Sequence, residues 1–282
     1  MPGLATTYYC DDPEFAEAAL PFVDYLEIAP DAIASFDGDR PYLRPEVIAH
    51  LREISCHVRL IVHGVGLSIG SYDSWNADYL ALLDQLCAEV PVEWHSEHLG
   101  YTMVRGQFLG TMLPLPRTEQ ALELVAGRAA KILDRYGIPF LLEHVVGLLP
   151  DAPHGFTDAE FANLVAAWSG CGLIVDAYNL RCDKANRGLD VADFVARLDP
   201  RHVMELHIAG GTTHKGLALD VHSRAAAPET VLLAKDILLG QPNIQAITYE
   251  VLQEAIPVLG AKAIIQELKR LSAALDVCSA AP

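Results

Sequence analysis

The chain has 282 residues and 51% hydrophobic content, which suits one large α/β domain better than two small domains. Its 37 acidic and 20 basic residues give a net charge of −17, which disfavours binding to nucleic acid phosphates or to an anionic membrane surface. The chain has no apolar run of about 18 residues, and its first residues, MPGLATTYYC, lack the pattern of a secretory signal, so neither a membrane span nor secretion is predicted.

Eight short apolar runs predict strands along the whole chain. Several of them lack polar alternation, which is typical of parallel strands that helices cover. In chain order they are Leu4–Tyr9, Val23–Ala29, Val58–His63, Val92–Glu97, Phe140–His144, Leu173–Ala177, Val203–Ile208 and Ile244–Glu250.

Amphipathic segments that predict helices lie between most of these runs. They are Pro45–Ile54, Ala77–Val90, Glu119–Tyr136, a helix that begins with the capping box of Thr157 and Glu160, Asp190–Leu198, Pro228–Leu239 and Ala261–Leu275. Eightfold strand–helix alternation predicts a single (β/α)8 TIM-type barrel over residues 1–282, with a frayed tail at residues 277–282. A doubly wound open sheet is the alternative fold.

Residues that bind metal ions recur at the predicted strand ends. In such a barrel, chemistry takes place where the strands end at their carboxyl side. Imidazole and carboxylate groups at these ends are ligands for zinc, manganese or iron, and no thiolate is needed. From strand three onwards the candidates are His63, His98, Glu143, Asp176, Asn179, His207, Asp220, His222 and Glu250. One such residue alone is usually structural, but the repeated choice at successive strand ends predicts a metal site.

The number of candidate ligands indicates more than one ion. Nine ligands exceed what one metal can use, so we expect two or three ions, and Glu143 could bridge two of them. Glu27, at the end of strand two, is a weaker candidate for substrate binding or for a backbone hydrogen bond. Five basic residues are expected in the loops after strands six and seven, where they could hold a substrate carboxylate or form surface ion pairs. They are Arg181, Lys184, Arg187, Lys215 and Arg224.

Short motifs around these residues resemble one known family. They are HGVGLSIGS at 63–71, SEHLGY at 96–101, MLPLP at 112–116, LLEH at 141–144, GCGLIVDAYN at 170–179, ELHIAGG at 205–211, DVH at 220–222 and YE at 249–250. With these motifs the chain resembles the multinuclear non-heme iron-dependent oxidative enzymes, the MNIO family of MbnB-, TglH- and BufB-like proteins. The resemblance implies a TIM-type barrel of the xylose-isomerase-like superfamily.

The resemblance also implies how the ligands are shared among three iron ions. The first ion would be held by His63, His98 and Glu143. The second would be held by Glu143, Asp176, His207 and Glu250, and the third by Asn179, Asp220 and His222. Glu143, Asp176 and His207 are then the expected catalytic residues.

Members of this family use mixed-valent Fe(II)/Fe(III) and O₂ to modify ribosomally made precursor peptides, usually at cysteine. The resemblance therefore implies an iron-dependent oxygenase or oxidase in which a substrate thiolate binds one ion and O₂ reacts at its neighbour. It also implies a small partner protein that presents the leader peptide. Six scattered cysteines without a CxxC pair favour free thiols in a reducing cytoplasm. Neither a nucleic acid nor a membrane is expected as a partner.

The chain departs from the family pattern around the principal ligands, which are themselves kept. His144 stands where family members commonly have Asn, and Ala177-Tyr178 stands where they commonly have Val-Asn. Gly211 stands where many have His, and Tyr8, Tyr9 and Cys10 stand where many have an Arg and a His. These departures concern the substrate and the product more than the metal site.

Two other classes of function compete with an iron-dependent peptide-modifying enzyme. One is a redox-silent zinc- or manganese-dependent enzyme of the same superfamily, such as a sugar isomerase or an endonuclease IV-like phosphodiesterase. The net charge of −17 argues against a DNA substrate. The other is a non-catalytic binding scaffold, which the intact set of ligands disfavours.

Overall fold

The structure is a computed structural model that describes residues 1–147 and 155–277. All eight predicted strands form, and they pair in parallel in chain order until the last one closes against the first. They are β1 (Gly3–Thr7), β2 (Tyr25–Ile28), β3 (Arg59–Gly64), β4 (His95–His98), β5 (Phe140–Glu143), β6 (Gly172–Asp176), β7 (Val203–Ile208) and β8 (Ala246–Tyr249). The (β/α)8 barrel is therefore confirmed, and the open sheet is wrong.

Helices surround the barrel, and the predicted ones form at or near their expected bounds. They are α1 (Pro13–Ala19), α2 (Pro45–Ile54), α3 (Ala77–Glu89), α4 (Glu119–Tyr136), α5 (Asp158–Ser169), α6 (Ala177–Arg187), α7 (Val191–Arg197), α8 (Pro228–Gly240), α9 (Ile256–Leu259) and α10 (Ala261–Leu275), with a 3₁₀ turn at Leu20–Phe22. The Thr157 hydroxyl accepts the backbone N–H of Glu160, whose carboxylate accepts that of Thr157, so the predicted capping box begins α5. The structure adds α1, α6 and α9, which the sequence did not predict.

Three β-hairpins extend from the carboxyl side of the barrel, and none was predicted. Hairpin A pairs Ser35–Asp37 with Arg40–Tyr42, hairpin B pairs Gly100–Val104 with Gln107–Pro114, and hairpin C pairs Gly210–His214 with Leu217–Arg224. They follow β2, β4 and β7, so all three stand on the rim where the strand ends meet. Gly38, Gly106 and Gly216 have positive φ angles of 60°, 72° and 84° in the three turns, a backbone conformation that favours glycine.

Side chains that point into the barrel form an apolar floor below a polar level. The floor consists of Ala5, Tyr25, Ile61, Trp94, Leu141, Ile174 and Ala246. His63 lies two residues beyond Ile61, and Glu143 lies two residues beyond Leu141. Because side chains alternate between the two faces of a strand, residues two positions apart share the inward face. The polar residues at the strand ends therefore face the axis of the barrel.

The carboxyl-terminal segment is ordered slightly further than expected. Val277 is buried and its backbone N–H donates to Ser272 O at 3.1 Å, so it does not belong to a frayed tail. The rest of the predicted tail, residues 278–282, lies outside the described residues. No helix in the described ranges is both long and apolar enough to cross a membrane.

The segment after β6 is a helix and not the loop that the sequence predicted. Asp176 is the N-cap of α6, and its Oδ1 accepts the N–H of Asn179 at 2.6 Å. The prediction that five basic residues lie in the loops after β6 and β7 is therefore wrong for three of them. Arg181, Lys184 and Arg187 lie on α6, whereas Lys215 lies at the tip of hairpin C and Arg224 ends that hairpin.

Arg187 holds the start of the chain segment that leaves β5. It donates to Asp183 at 2.7 Å and to Asp158 at 3.0 Å, and Asp183 in turn accepts the N–H of Gly147 at 2.7 Å. Since Asp183 is fully buried, an Arg187→Met variant leaves a buried carboxylate without this cation. We expect the free energy of unfolding to fall by about 3–5 kcal/mol, measured by urea denaturation.

The matched control for this variant is Arg197→Met. Arg197 pairs with Asp193 at 2.8 Å, but both side chains are more than half exposed. An exposed pair of this kind contributes less than about 1 kcal/mol. Equal losses of stability in the two variants would contradict a special role for the buried pair.

Candidate metal centre

Glu143 lies at the centre of a group of buried imidazoles at the carboxyl end of the barrel. Its Oε2 is 3.2 Å from His63 Nε2 and 3.3 Å from His98 Nε2. Its Oε1 is 3.7 Å from His207 Nδ1 and accepts from Asn179 Nδ2 at 3.5 Å. Glu143 is 0% exposed, so its two oxygens face different partners within the protein. This geometry suits a carboxylate that bridges two cations.

Glu250 joins this group to a second one. Its Oε2 is 3.0 Å from His207 Nδ1 and 2.7 Å from His222 Nδ1. On the other side of its ring, His222 Nε2 is 2.9 Å from Asp220 Oδ1 and 3.7 Å from Asp176 Oδ2. Three carboxylates therefore surround His222.

Asn179 completes the set through its side-chain amide. Its Nδ2 donates to Asp220 Oδ2 at 3.2 Å, and its Oδ1 is 3.4 Å from His222 Nε2. The structure therefore brings all nine of the predicted ligands into one connected group. Two clusters in it have donor atoms close enough together to hold a cation; they are His63, Glu143, His207 and Glu250, and Asp176, His222 and Glu250.

Several donor atoms of this group are buried without a hydrogen bond to any described residue. They are His63 Nε2, Glu143 Oε2, Asp176 Oδ2 and His222 Nδ1. Buried polar atoms are almost always hydrogen-bonded in proteins, so unpartnered atoms that converge on one space need a further partner. Imidazole nitrogens together with carboxylate oxygens form a donor set for divalent transition metals. The residues present thus fit a bound metal ion.

Hydrogen bonds behind the imidazoles hold two of them in the tautomer that metal binding requires. His63 Nδ1 is 2.9 Å from Ser96 Oγ, and the Ser96 hydroxyl donates to Val62 O at 2.8 Å. The hydroxyl proton is thereby used, so His63 Nδ1–H donates to Ser96 and Nε2 remains available. His98 Nδ1 similarly lies 3.1 Å from Gly64 O and can only donate to it.

The charges of the group compensate one another strongly. Burial raises the pKa of Glu143, but His207 and the other imidazoles outweigh it and hold the pKa at about 2. Burial lowers the pKa of His63, but Glu143 outweighs it and raises the pKa to about 9. Carboxylates likewise raise the pKa of His222 well above its usual value, against burial. In the metal-free protein, protons on His63 and His222 therefore offset the charge of the carboxylates, and a cation can take their place.

Other residues singled out in the sequence lie around the group. Glu27 Oε2 is 3.3 Å from His207 Nε2, so Glu27 borders the centre. His95 on β4 is buried in the core, and its Nε2 lies 3.1 Å from Tyr79 Oη. The His144 ring packs beside Phe194, with their centroids 5.7 Å apart.

Tyr178 and Gly211, two of the departures from the family pattern, are neighbours in space. Tyr178 Oη donates to Leu219 O at 3.1 Å, and its ring lies 5.8 Å from the ring of His222. A Cβ atom at Gly211 would overlap Tyr178 Oη and would lie 2.6 Å from Val221 O. With tyrosine at position 178, there is therefore no room for a side chain at position 211, which explains the glycine there.

One buried carboxylate beneath the centre had no predicted role. Glu205 accepts from Trp94 Nε1 at 2.7 Å and from Thr248 Oγ1 at 2.5 Å, and its Oε1 is 3.3 Å from His207 Nε2. Glu205 lies two residues before His207 on β7, so both side chains share the inward face of the strand. No pattern in the sequence indicated that Trp94 and Thr248, from other strands, lie beside them.

Comparisons with known proteins give one family and one fold. Residues 10–275 match a family described as RiPP precursor modification enzyme MbnB/TglH/ChrH. The chain is 33% identical over 228 residues to a UPF0276 protein of Rhizorhabdus wittichii, a match that covers 80% of this chain and 78% of that protein. It is 30% identical over 228 residues to a UPF0276 protein of Chromobacterium violaceum, which covers 80% of each.

Two solved structures illustrate the similarity of fold. The IolI protein with a bound zinc atom matches with a TM-score of 0.59 and 14% identity, over 97% of this chain and 98% of that chain. A D-psicose 3-epimerase of Clostridium cellulolyticum H10 matches with a TM-score of 0.56 and 14% identity, over 97% of each chain. At these identities the similarity shows the shared barrel alone.

Proposed function

Because the chain belongs to the MbnB/TglH/ChrH family of RiPP precursor modification enzymes, we propose that it is an iron-dependent oxygenase or oxidase. In this proposal it uses O₂ to modify residues of a ribosomally synthesised precursor peptide, with cysteine as the first candidate. The observation that carries the proposal is the convergence of nine imidazole, carboxylate and amide side chains, Glu143 among them, at the carboxyl end of the barrel.

Three ions can be assigned to this set within the proposal. The first is held by His63, His98 and Glu143, the second by Glu143, Asp176, His207 and Glu250, and the third by Asn179, Asp220 and His222. The contacts of Glu143 support the division between the first two ions, because His63 and His98 both meet Oε2, whereas His207 lies on the side of Oε1. Asp176 and Glu250 of the second ion also lie near His222 of the third. Nitrogen and oxygen donors without thiolate favour iron slightly over zinc at the third position.

The residues of the chain bind, orient and enclose the reacting groups. Iron, when bound, supplies the one-electron redox chemistry with O₂, and the protein supplies position and electrostatics. The Asp220, Glu250 and His98 side chains are 32%, 12% and 11% exposed, whereas the His63 and His207 side chains are 4% and 0% exposed. The substrate therefore approaches from the side of Asp220, and water is excluded from the deeper ligands. Glu143, Asp176 and His207 are the catalytic residues of the proposal.

The partners and the location belong to the same proposal. The precursor peptide is the substrate, and a small partner protein presents its leader peptide. The net charge of −17 supports the expectation that nucleic acid is not a partner. Cys10, Cys56, Cys87, Cys171 and Cys182 are unpaired, which supports a reducing cytoplasmic location.

Coexpression with the precursor peptide encoded beside the gene tests this function. We expect a change in the intact mass of the peptide that requires the enzyme and O₂, with unmodified peptide as the result for a Glu143→Gln variant. Tandem mass spectrometry then locates the change, which we expect on cysteine. An unchanged peptide mass, with iron and the partner protein present, would contradict the proposal.

A zinc- or manganese-dependent enzyme of the same superfamily is the second candidate. It is favoured by the donor set itself, which also suits zinc, and by the zinc atom in the solved IolI structure of the same fold. Metal analysis of protein purified without oxygen distinguishes the two. Tightly bound zinc with little iron and no O₂ uptake would establish the second candidate over the first.

Metal uptake should release protons and strengthen as the pH rises. The pKa of His63 is raised to about 9 in the metal-free protein because Glu143 stabilises its charged form, so at pH 7 the imidazole carries a proton that the ion must displace. Below pH 9, each proton that the ion displaces lowers the apparent affinity for the metal about tenfold for every unit by which the pH falls. Calorimetric titration with Fe(II) or Zn²⁺ in buffers of different ionisation enthalpy measures this release. Binding without proton release between pH 6 and pH 8 would contradict the expectation.

A further inference from the structure

The three side chains assigned to the third ion come from two elements outside the barrel sheet. Asn179 belongs to α6, whereas Asp220 and His222 belong to the second strand of hairpin C. Asn179 Nδ2 donates to Asp220 Oδ2 at 3.2 Å, and Asn179 Oδ1 lies 3.4 Å from His222 Nε2. The set can therefore hold one ion only while hairpin C stays in place against α6.

Two side chains of α6 hold the strand of hairpin C that carries these ligands. Tyr178 and Asn186 lie eight residues apart, within one stripe of the helix surface. Asn186 Nδ2 donates to Ala218 O at 2.9 Å, and Asn186 Oδ1 accepts the N–H of Ala218 at 2.8 Å. Tyr178 Oη donates to Leu219 O at 3.1 Å. These contacts fix the backbone of the two residues that precede Asp220.

The position of Asp220 depends on this backbone. Ala218, Asp220 and His222 alternate along one strand, so their side chains share the face that meets α6. The strand is also held at His222, because Leu252 N donates to His222 O at 2.9 Å. Asp220 therefore lies between two fixed points, one beside the end of β8 and one on α6.

We propose that Asn186 is a positioning residue for the third ion, because it clamps the backbone of Ala218 and thereby holds Asp220 in place. This inference rests on the proposed metal-dependent function and extends it to a residue that ligates no ion. An amide suits the role, since its NH₂ only donates and its oxygen only accepts, so one orientation satisfies both backbone groups of Ala218. Loss of a residue that orients a metal ligand lowers metal affinity by about 10- to 100-fold.

Asn163 provides a matched control, because it makes the same kind of clamp elsewhere. Its Nδ2 donates to Arg197 O at 2.8 Å, and its Oδ1 accepts the N–H of Asp199 at 2.9 Å. Both asparagines are half-buried. The clamp of Asn163 joins α5 to the end of α7 and the segment after it, none of which carries a proposed ligand.

An Asn186→Ala variant removes the clamp and leaves every proposed ligand in place. We expect the affinity for the third equivalent of Fe(II), titrated without oxygen, to fall by about tenfold, while the first two equivalents bind as in the wild type. Anomalous X-ray scattering from crystals grown with limiting Fe(II) should show the missing ion at Asn179, Asp220 and His222. Excess Fe(II) should refill the position, since no ligand has been removed. Asn163→Ala should bind all three equivalents with wild-type affinity.

The same variants are compared without metal by hydrogen exchange. Amide hydrogens of hairpin C should exchange faster in Asn186→Ala than in the wild type, because the hairpin is released from α6. Asn163→Ala should leave the exchange of hairpin C unchanged. Unchanged exchange of hairpin C in Asn186→Ala would mean that Asn186 does not hold the hairpin, and the proposal would be wrong.

Tyr178→Phe is a milder second variant. It removes the hydroxyl that donates to Leu219 O and keeps the aromatic ring, whose centroid lies 5.8 Å from that of His222. We expect a smaller loss of affinity for the same ion, and a larger loss in Asn186→Ala/Tyr178→Phe than in either single variant. If Asn186→Ala does not fold, wild-type affinity for the third equivalent in Tyr178→Phe overturns the proposal.

The remaining outcomes separate this inference from the proposed function. Equal affinities for the third equivalent in Asn186→Ala and Asn163→Ala overturn the inference, and so does a wild type that holds no more than two ions. Modified peptide in the coexpression experiment then leaves the proposed function standing. If the protein binds zinc and not iron, and Asn186→Ala weakens one Zn²⁺ equivalent at the same three ligands, the oxygenase function fails and the role of Asn186 stands.

Discussion

Replacement of Glu143 by alanine is expected to remove at least two ions from the centre, whereas Asp220→Ala removes no more than one. Glu143 contacts His63 and His98 with one oxygen and lies near His207 and Asn179 with the other, so in the proposed assignment its loss affects two ions together. A carboxylate at the edge of the group has no such double role.

Asp220 supplies the matched comparison because it is also a carboxylate of the same group. It contacts His222 at 2.9 Å and Asn179 at 3.2 Å, and its side chain is 32% exposed. Iron is measured by elemental analysis of both variants after purification without oxygen. If the two variants lose the same number of iron equivalents, Glu143 is not a bridge.

The same variant should also be less stable without metal. His63 and His207, whose pKa values are raised by neighbouring carboxylates, lose one carboxylate that compensates their charge in a buried space. Removal of one partner from a buried charged group costs about 3–5 kcal/mol. Urea denaturation of the metal-free proteins measures this difference, and a loss of less than about 1 kcal/mol would indicate that the pairing is weak.

Gly64→Ala is expected to lower stability by about 3 kcal/mol, at the upper end of overpacking effects, and to weaken metal binding. A Cβ atom at Gly64 would overlap Tyr79 Oη, would lie 2.5 Å from Tyr79 Cζ and would lie 2.6 Å from Glu97 Oε1. Tyr79 is 1% exposed and contacts His95 at 3.1 Å, so it cannot move without disturbing the core. The Gly64 carbonyl also faces His98 Nδ1 at 3.1 Å, so a shift of this backbone reaches a metal ligand directly.

Gly127→Ala is the control for this substitution. Gly127 lies inside α4, and a Cβ atom there would meet no heavy atom within 4 Å. Alanine favours a helix over glycine by up to about 1 kcal/mol, so this variant should be slightly more stable than the wild type. Thermal denaturation and Fe(II) titration of both variants give the comparison. Wild-type stability in Gly64→Ala would mean that Tyr79 moves aside at little cost.

The barrel could be predicted from the sequence because two independent patterns agreed. Apolar runs without alternation marked the strands, and caps such as Thr118 and Gly137 marked the helix between β4 and β5. Parallel strands that are buried on both faces appear in the sequence as uninterrupted apolar runs, since neither face tolerates polar residues. The candidate ligands were chosen by the same logic, because a charged residue at the end of a buried strand needs a partner, and the structure brings these side chains together.

The parts that could not be predicted depend on contacts between distant segments or on weak local signals. The hairpins have largely exposed strands, so their apolar pattern is weak, and a single turn glycine such as Gly106 or Gly216 does not reveal a strand pair. Helix α6 begins directly after Asp176, so one residue ends a strand, caps a helix and lines the metal centre. Trp94 lies 111 positions from Glu205, and no local pattern links them.

The apolar floor of the barrel has a consequence for the order of events in catalysis. Tyr25, Trp94 and Leu141 pack together across the barrel beneath the candidate metal centre, and the partly exposed side chain of Asp220 lies on the opposite side, towards the rim. If, as proposed, a precursor peptide and dioxygen are the substrates, a peptide bound at this rim would hinder the entry of dioxygen to the centre behind it. Steady-state kinetics should then show an ordered dependence on the two substrates.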